Sequence, residues 1–301
     1  MMKEENISDS EIRVIGGSNQ QPTPTFPWRM AAIVAIVAAV IALLVWLFWS
    51  KAPEQLPEQG IFDPEVSLTA PDNAPQSHPL QAWFASLDSI TATGTITKDT
   101  TVNDIPLRIY VPLNSTPRLE IGYGALDNRQ RNILFFQAAD VRADNKKIVG
   151  AFVLRGQPLS WGLSKHGYCA IIDGKVTVGV ADNSPLFEQA TEQGGYFFRQ
   201  YPLVDNGKLV ENELKNKSIR RGLCEIDGHI AVVATQSTES LHDFAQALVD
   251  IGVSNAIYLV GSSAQGWSMD ADGNGTKMGL WDERPYRNIS FIVWPLNPEK
   301  R

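Results

Sequence analysis

From residue 80 onward the chain reads as short apolar runs separated by turn residues: SITATGTITK, IPLRIYVPL, ILFFQAADV, YCAIIDGKVTVGVA, YFFRQYPLV and FIVWPL. Their β-branched and aromatic content predicts strands. Asp173-Gly174, Asn206-Gly207 and Asp227-Gly228 fall between or at the ends of such runs and predict tight hairpin turns. One stretch breaks the pattern. In STESLHDFAQALVDIG, Leu241, Phe244, Ala245, Leu248 and Val249 share one face of a helix. Ser237 or Thr238 is expected to cap its start, and Gly252 to end it in the left-handed conformation. HIAVVAT precedes this helix and NAIYLVG follows it, so residues 229–261 predict a strand-helix-strand crossover. The expected fold is α+β, a mixed β-sheet domain with few helices. It places the turn GSSA, from Gly261 to Ala264, at the carboxyl end of a buried strand, where ligands bind in open sheets.

A different pattern precedes that domain. Residues 30–49, MAAIVAIVAAVIALLVWLFW, carry no charge and are long enough to cross the hydrocarbon core, so they predict one transmembrane helix. Trp28, Trp46 and Trp49 stand near its ends, where indole rings prefer the headgroup level. Arg13 and Arg29 before the span, against Lys51 close after it, place the N-terminus in the cytoplasm and the C-terminal domain outside it. Residues 1–29 contain GGSNQQPTPT and read as a disordered cytoplasmic tail. Residues 50–79, with APEQLPEQG and TAPDNAPQ, read as a proline-rich linker leading to a domain over 80–301. In an oxidising compartment Cys169 and Cys224 could pair or remain as buried thiols, and spacing leaves both open.

Composition removes several function classes. At 44% apolar and 20% charged residues the 301-residue chain is globular, and its net charge of -7 offers no basic stripe for nucleic acid. His78, His166, His229 and His242 have no metal-ligand spacing, with each other or with the cysteines, so no metal or other cofactor is expected. Asp270, Asp272, Asn274 and Gly275 match the first half of a calcium loop, but Trp281 stands where the bidentate glutamate belongs, which predicts a solvated turn. GSSAQGW lacks the spacing of a serine nucleophile elbow.

Several segments taken in order resemble the phosphodiester glycosidase family. ESLHDFAQALVDIGVSNAIYLVG is similar to its "eLAelLkelGaxnAlnLDGG" and DERPYRNISFIVWP to its "geRpvxnallv". QYPLVDNGKLV is similar to "gPxLvxdGk", IRRGLCEIDGHIAVV to "RtaiG…dGkl", and KKIVGAFVLRGQPLSWG to "aaiNGgFF…pxG". The resemblance covers about residues 100–297. It implies a carbohydrate or glycosyl phosphodiester ligand, with Arg220, Gly261, Ser262 and Ser263 as substrate-binding residues. It also exposes two departures: the family's aspartate is Val260 here, and its asparagine is Val149. Hydrolysis of a glycosidic or phosphodiester bond calls for a positioned carboxylate, which valine cannot supply. Glu225, near Arg220 in sequence, is the candidate replacement, with Asp227 reading as part of a turn. Two functions are therefore expected: a membrane-anchored, exported hydrolase of sugar phosphodiesters or envelope glycoconjugates, or a non-catalytic glycan- or phosphate-binding module on the same scaffold.

Overall fold

The computed structural model describes residues 78–296 apart from 213, 215 and 283. The chain divides into two units, Met1–Asp72 and Asn73–Arg301, and all described residues belong to the second. The expected tail at 1–29, the span at 30–49 and nearly all of the linker lie outside the described residues. Among the described residues no helix is long and apolar enough to cross a membrane.

The domain begins with a helix that the sequence pattern did not announce, α1 (Gln81–Leu87), followed by β1 (Gly94–Val102), β2 (Ile105–Leu113) and β3 (Arg118–Ile121). A short α2 (Gly124–Asp127) leads into β4 (Asn132–Gln137), β5 (Ala151–Leu154), β6 (Gln157–Trp161), β7 (Gly167–Ile172) and β8 (Lys175–Val180). After α3 (Leu186–Glu192) come β9 (Tyr196–Gln200), β10 (Pro202–Asp205), β11 (Lys208–Leu209), β12 (Arg221–Ile226) and β13 (His229–Thr235). Helix α4 (Leu241–Asp250) then precedes β14 (Asn255–Leu259), β15 (Gly266–Met269), β16 (Gly275–Met278) and β17 (Ser290–Pro295).

These strands form three sheets, ordered β1-β2-β13-β12-β14-β10-β11, β16-β15-β4-β17-β3 and β6-β5-β9-β7-β8. The α+β class with few helices holds, but the sheets are not mixed: every strand pairing among the described residues is antiparallel. The crossover over 229–261 is present in split form. Strands β13 and β14 run the same way, yet β12 lies between them and pairs with both. The apolar run YFFRQYPLV also divides: Tyr196–Gln200 belongs to one sheet and Pro202–Asp205 to another, so the chain changes sheets at Tyr201.

Alternation assigns the two faces of the seven-stranded sheet. Leu223, Val232, Ala234, Ile257 and Leu259 join a core shared by all three sheets, with Phe135, Phe136, Phe198 and Trp294. Cys224, Ile226, Val233, Ala256 and Tyr258 face the other way, onto Phe84 of α1 and Leu241, Phe244 and Leu248 of α4. The two cysteines are free and buried, in separate cores.

Asp173-Gly174, Asn206-Gly207 and Asp227-Gly228 all have positive φ at both residues, as the expected hairpin turns require. Helix α4 departs from expectation at its start. Its N-cap is Ser240, whose Oγ accepts the Asp243 N–H at 3.0 Å, because Ser237 instead donates to the Glu239 carboxylate at 2.6 Å. Ser240→Ala is expected to cost about 1 kcal/mol, measured by urea denaturation. At the other end Gly252 has φ +92, and a Cβ there would lie 2.3 Å from the His78 ring. The DADGNG segment is a hairpin turn between β15 and β16: Asp270 Oδ1 accepts the N–H groups of Asp272 at 3.0 Å and Asn274 at 2.8 Å. The Asn274 side-chain amide, which donates to Asp270 Oδ2 at 3.0 Å, and then those backbone bonds hold the Asp270 carboxyl below its ordinary range.

Candidate functional site

The GSSA turn connects β14 to β15 and is held from several sides. The Val260 N–H donates to Gln137 O at 3.2 Å and the Ser262 N–H to Ile219 O at 2.9 Å. The Gly261 N–H donates to the Tyr258 hydroxyl at 3.1 Å. Glycine is required at 261 by close approach, because a Cβ would lie 2.1 Å from Ile219 O. Ser262 takes φ +52, turning the chain so that Ala264 N–H reaches Gly261 O at 3.0 Å. The amides of Gly261, Ser262 and Ala264 are thus all bonded within the protein. Ser262 and Ser263 are exposed.

Two consecutive arginines approach this region from opposite faces of the sheet. Arg220 donates from its backbone N–H to Thr235 Oγ1 at 2.9 Å, and its guanidinium donates to Glu239 O at 2.8 Å and to Asn216 O. It braces the segments that lead into β12 and α4. Arg221 begins β12 on the face of Leu223, where its guanidinium donates to Ala264 O at 2.7 Å and Val260 O at 3.2 Å. Its Cζ lies 5.3 Å from the centre of the Phe136 ring. Arg221 is 3% exposed, and burial lowers its pKa from the usual arginine range. The residue that clasps the turn is therefore one position from the one the sequence picked out. Placing Leu223 in the core would have identified it, since alternation sends Arg221 inward with Leu223.

Glu225 also lies on the face of Leu223, but the register pairs it with Asn255, four residues along β12 from the Arg221–Leu259 pair and roughly 13 Å at normal strand rise. Its carboxylate accepts from Asn255 Nδ2 at 3.2 Å. Asp227 occupies the β12–β13 turn and lies 2.8 Å from His78 Nε2. His229 and His242 do not meet: they contact Asp88 and Glu211 respectively.

Beside the turn lies a cleft of about 410 Å³, whose wall includes Val260, Ser263, Ala264, Gln137, Asp140, Arg284 and Tyr286. Asp140 is the carboxylate that sequence reasoning missed. It follows β4, and its backbone oxygen accepts the Val149 N–H at 2.9 Å. The two positions where valine departs from the family pattern thus flank one acid: Val149 bonds to its backbone, and Val260 shares its cleft. Asp140 pairs with Lys165, whose ammonium also donates to Gln200 Oε1 at 2.9 Å and lies 4.4 Å from the Tyr201 ring centre. The Lys165 side chain is 5% exposed, and burial lowers its pKa against the pull of Asp140. Burial also raises the Tyr201 phenol, assisted by Asp140. Because β9 passes into β10 at this point, Gln200 and Tyr201 bring the third sheet against Lys165, behind the cleft wall. The Gln200 amide donates to Ala138 O at 3.2 Å, fixing the segment that carries Asp140.

The described residues contain no cluster of three or more histidine, cysteine or acidic side chains suited to a metal ion. What the cleft offers a ligand is hydroxyl and amide groups, an aromatic ring, a guanidinium and one carboxylate already paired with a lysine.

The fold has distant solved neighbours. One is the zebrafish N-acetylglucosamine-1-phosphodiester alpha-N-acetylglucosaminidase catalytic domain, auto-inhibited by its pro-peptide, at 14% identity over 68% of this chain and 83% of that one, with a TM-score of 0.49. Another is a hypothetical protein from Synechocystis, at 12% identity over 67% of this chain and 62% of that one, with a TM-score of 0.47. No family model and no curated protein sequence matches the chain.

Proposed function

We propose that the domain binds an anionic saccharide, a sugar phosphodiester or related envelope glycoconjugate, in the cleft beside the GSSA turn. The observation that carries this reading is the division of charge in the cleft. Asp140 is paired with buried Lys165, while Arg284, which holds Asp127 at 3.2 Å, and Tyr286, with Lys146 Nζ 3.9 Å from its ring centre, bring positive charge to the wall. A guanidinium presents paired donors to a phosphate, and an aromatic ring covers an apolar sugar face. In this reading Ser263 contributes a hydroxyl, Gly261 and Ser262 shape the turn, and Arg220 and Arg221 hold the segments around it. Residues 30–49 anchor the chain in the membrane with the domain outside the cytoplasm.

Hydrolysis is the second reading, favoured by the position of Asp140 in the same cleft as the turn. A carboxylate there stands where proton transfer to a leaving group could occur. The two readings separate in one experiment on the purified full chain, titrated with glycosyl phosphodiesters of several sugars in a calorimeter while free sugar is measured. Binding without release is expected, and Arg284→Ala is expected to weaken it about tenfold. Sugar release that disappears in Asp140→Asn, while thermal melting shows the variant folded, would establish the hydrolase instead. Absence of both binding and release would remove both readings.

A further inference from the structure

The cleft does not end at Arg284. A second chamber of about 320 Å³ shares Gln265, Arg284 and Pro285 with the first and extends to Tyr123, Arg129, Lys277, Trp281 and one carboxylate, Asp127. Trp281 is half-buried, with its indole N–H fixed on Met278 O at 2.9 Å, so the ring is held in one orientation. Two cations gather around it: Lys277 Nζ lies 5.1 Å from the ring centre and the Arg129 guanidinium 5.9 Å. Arg129 also lies 5.7 Å from the ring of Trp267. Arg284, on the boundary between the chambers, lies 5.1 Å from the Tyr123 ring and pairs with Asp127 at 3.2 Å. Among the described residues, neither Arg129 nor Lys277 has a carboxylate within ion-pair distance. In a chain of net charge -7, this pairing of uncompensated cations with a fixed indole is a local departure from the average.

We infer that the second chamber is a subsite for a further anionic unit of the same ligand, so that the domain recognises a phosphodiester-linked oligosaccharide rather than a single glycosyl phosphodiester. The inference rests on the proposed binding of an anionic saccharide in the first chamber. Its physical basis is that each cation attracts phosphate, while the fixed indole keeps both cations in place at the chamber wall. Arg284 stands where a phosphate joining two units would pass from one chamber to the next. A ligand bound in the first chamber presents its second unit at high effective concentration, so the second contact adds affinity without a second loss of rotational and translational freedom.

The test compares three probes on the full chain by calorimetry, each made with glucose, galactose or N-acetylglucosamine: a methyl glycosyl phosphodiester, a trimer joined by two phosphodiester links, and an uncharged trisaccharide. The trimer is expected to bind about tenfold or more tighter than the one-unit probe, and the uncharged trisaccharide weakest of the three. In the Arg129→Ala, Lys277→Ala double variant the ratio of trimer to one-unit affinity is expected to fall toward one. Both side chains lie outside the hydrophobic cores, and thermal melting checks that the variant folds. Equal affinity of one-unit probe and trimer would overturn the inference while leaving the proposed function standing. So would a trimer advantage that survives the double variant, or one matched by the uncharged trisaccharide. Absence of binding by every probe would overturn the proposed function and the inference with it.

Discussion

Arg221→Met is expected to destabilise the domain by about 3 kcal/mol, since it strips a charged, buried donor from two half-buried carbonyl acceptors. For a domain of this size that is a fall in thermal midpoint of roughly 6–12 °C, read by scanning calorimetry. The expectation follows from where the guanidinium sits. It reaches both Val260 O and Ala264 O, closing the turn from beneath, and it is itself 3% exposed. Arg221→Lys should recover less than half the loss, because an ammonium lacks the planar fork that spans two carbonyls. Affinity for a glycosyl phosphodiester should fall with stability, as Val260, Ser263 and Ala264 lose their fixed positions in the wall. The same pair of measurements on Arg220→Met tests the arginine favoured by the sequence. That guanidinium rests on Glu239 O and Asn216 O, outside the turn.

The second large effect concerns Asp140 and Lys165. Asp140→Asn leaves an ammonium in a buried site without its counter-charge, whereas Lys165→Met leaves a carboxylate that is 30% exposed on the cleft. The first is expected to cost about 3 kcal/mol in urea denaturation, and the second less, because water reaches the carboxylate. The double replacement should cost less than the sum by about 2 kcal/mol, because it removes both charges at once. Strictly additive losses would mean that the two side chains act independently and that their contact contributes little.

Much of the fold was legible because it depends on local chemistry. The Asp-Gly and Asn-Gly turns marked three hairpins, and the i, i+3, i+4 pattern marked α4. Gly252 marked its end. Two other hairpin turns have the same backbone but carry Asn103-Asp104 and Arg155-Gly156, and passed unnoticed because their residues are less distinctive. Partnering was not legible. Nothing in HIAVVAT or NAIYLVG says that β12 inserts between them, and nothing in YFFRQYPLV marks the change of sheet at Tyr201. The site was legible only in part for the same reason. The GSSA turn was visible as small residues after an apolar strand. Asp140, Lys165 and Gln200 meet through three separate segments and have no shared spacing. Lys165 even adopts φ +74, a conformation that its side chain gives no reason to expect.

Strand β4, which ends at the cleft, has β15 and β17 as its two neighbours, and both come from more than a hundred residues later in the chain. During synthesis its bare edges, with Phe135 and Phe136 between them, must wait until nearly the whole domain has emerged from the ribosome. The cleft is therefore completed last, and a chain interrupted before residue 266 presents unpaired, sticky strand edges in place of a pocket. Such truncated products are expected to precipitate or to need a chaperone, rather than to retain partial binding.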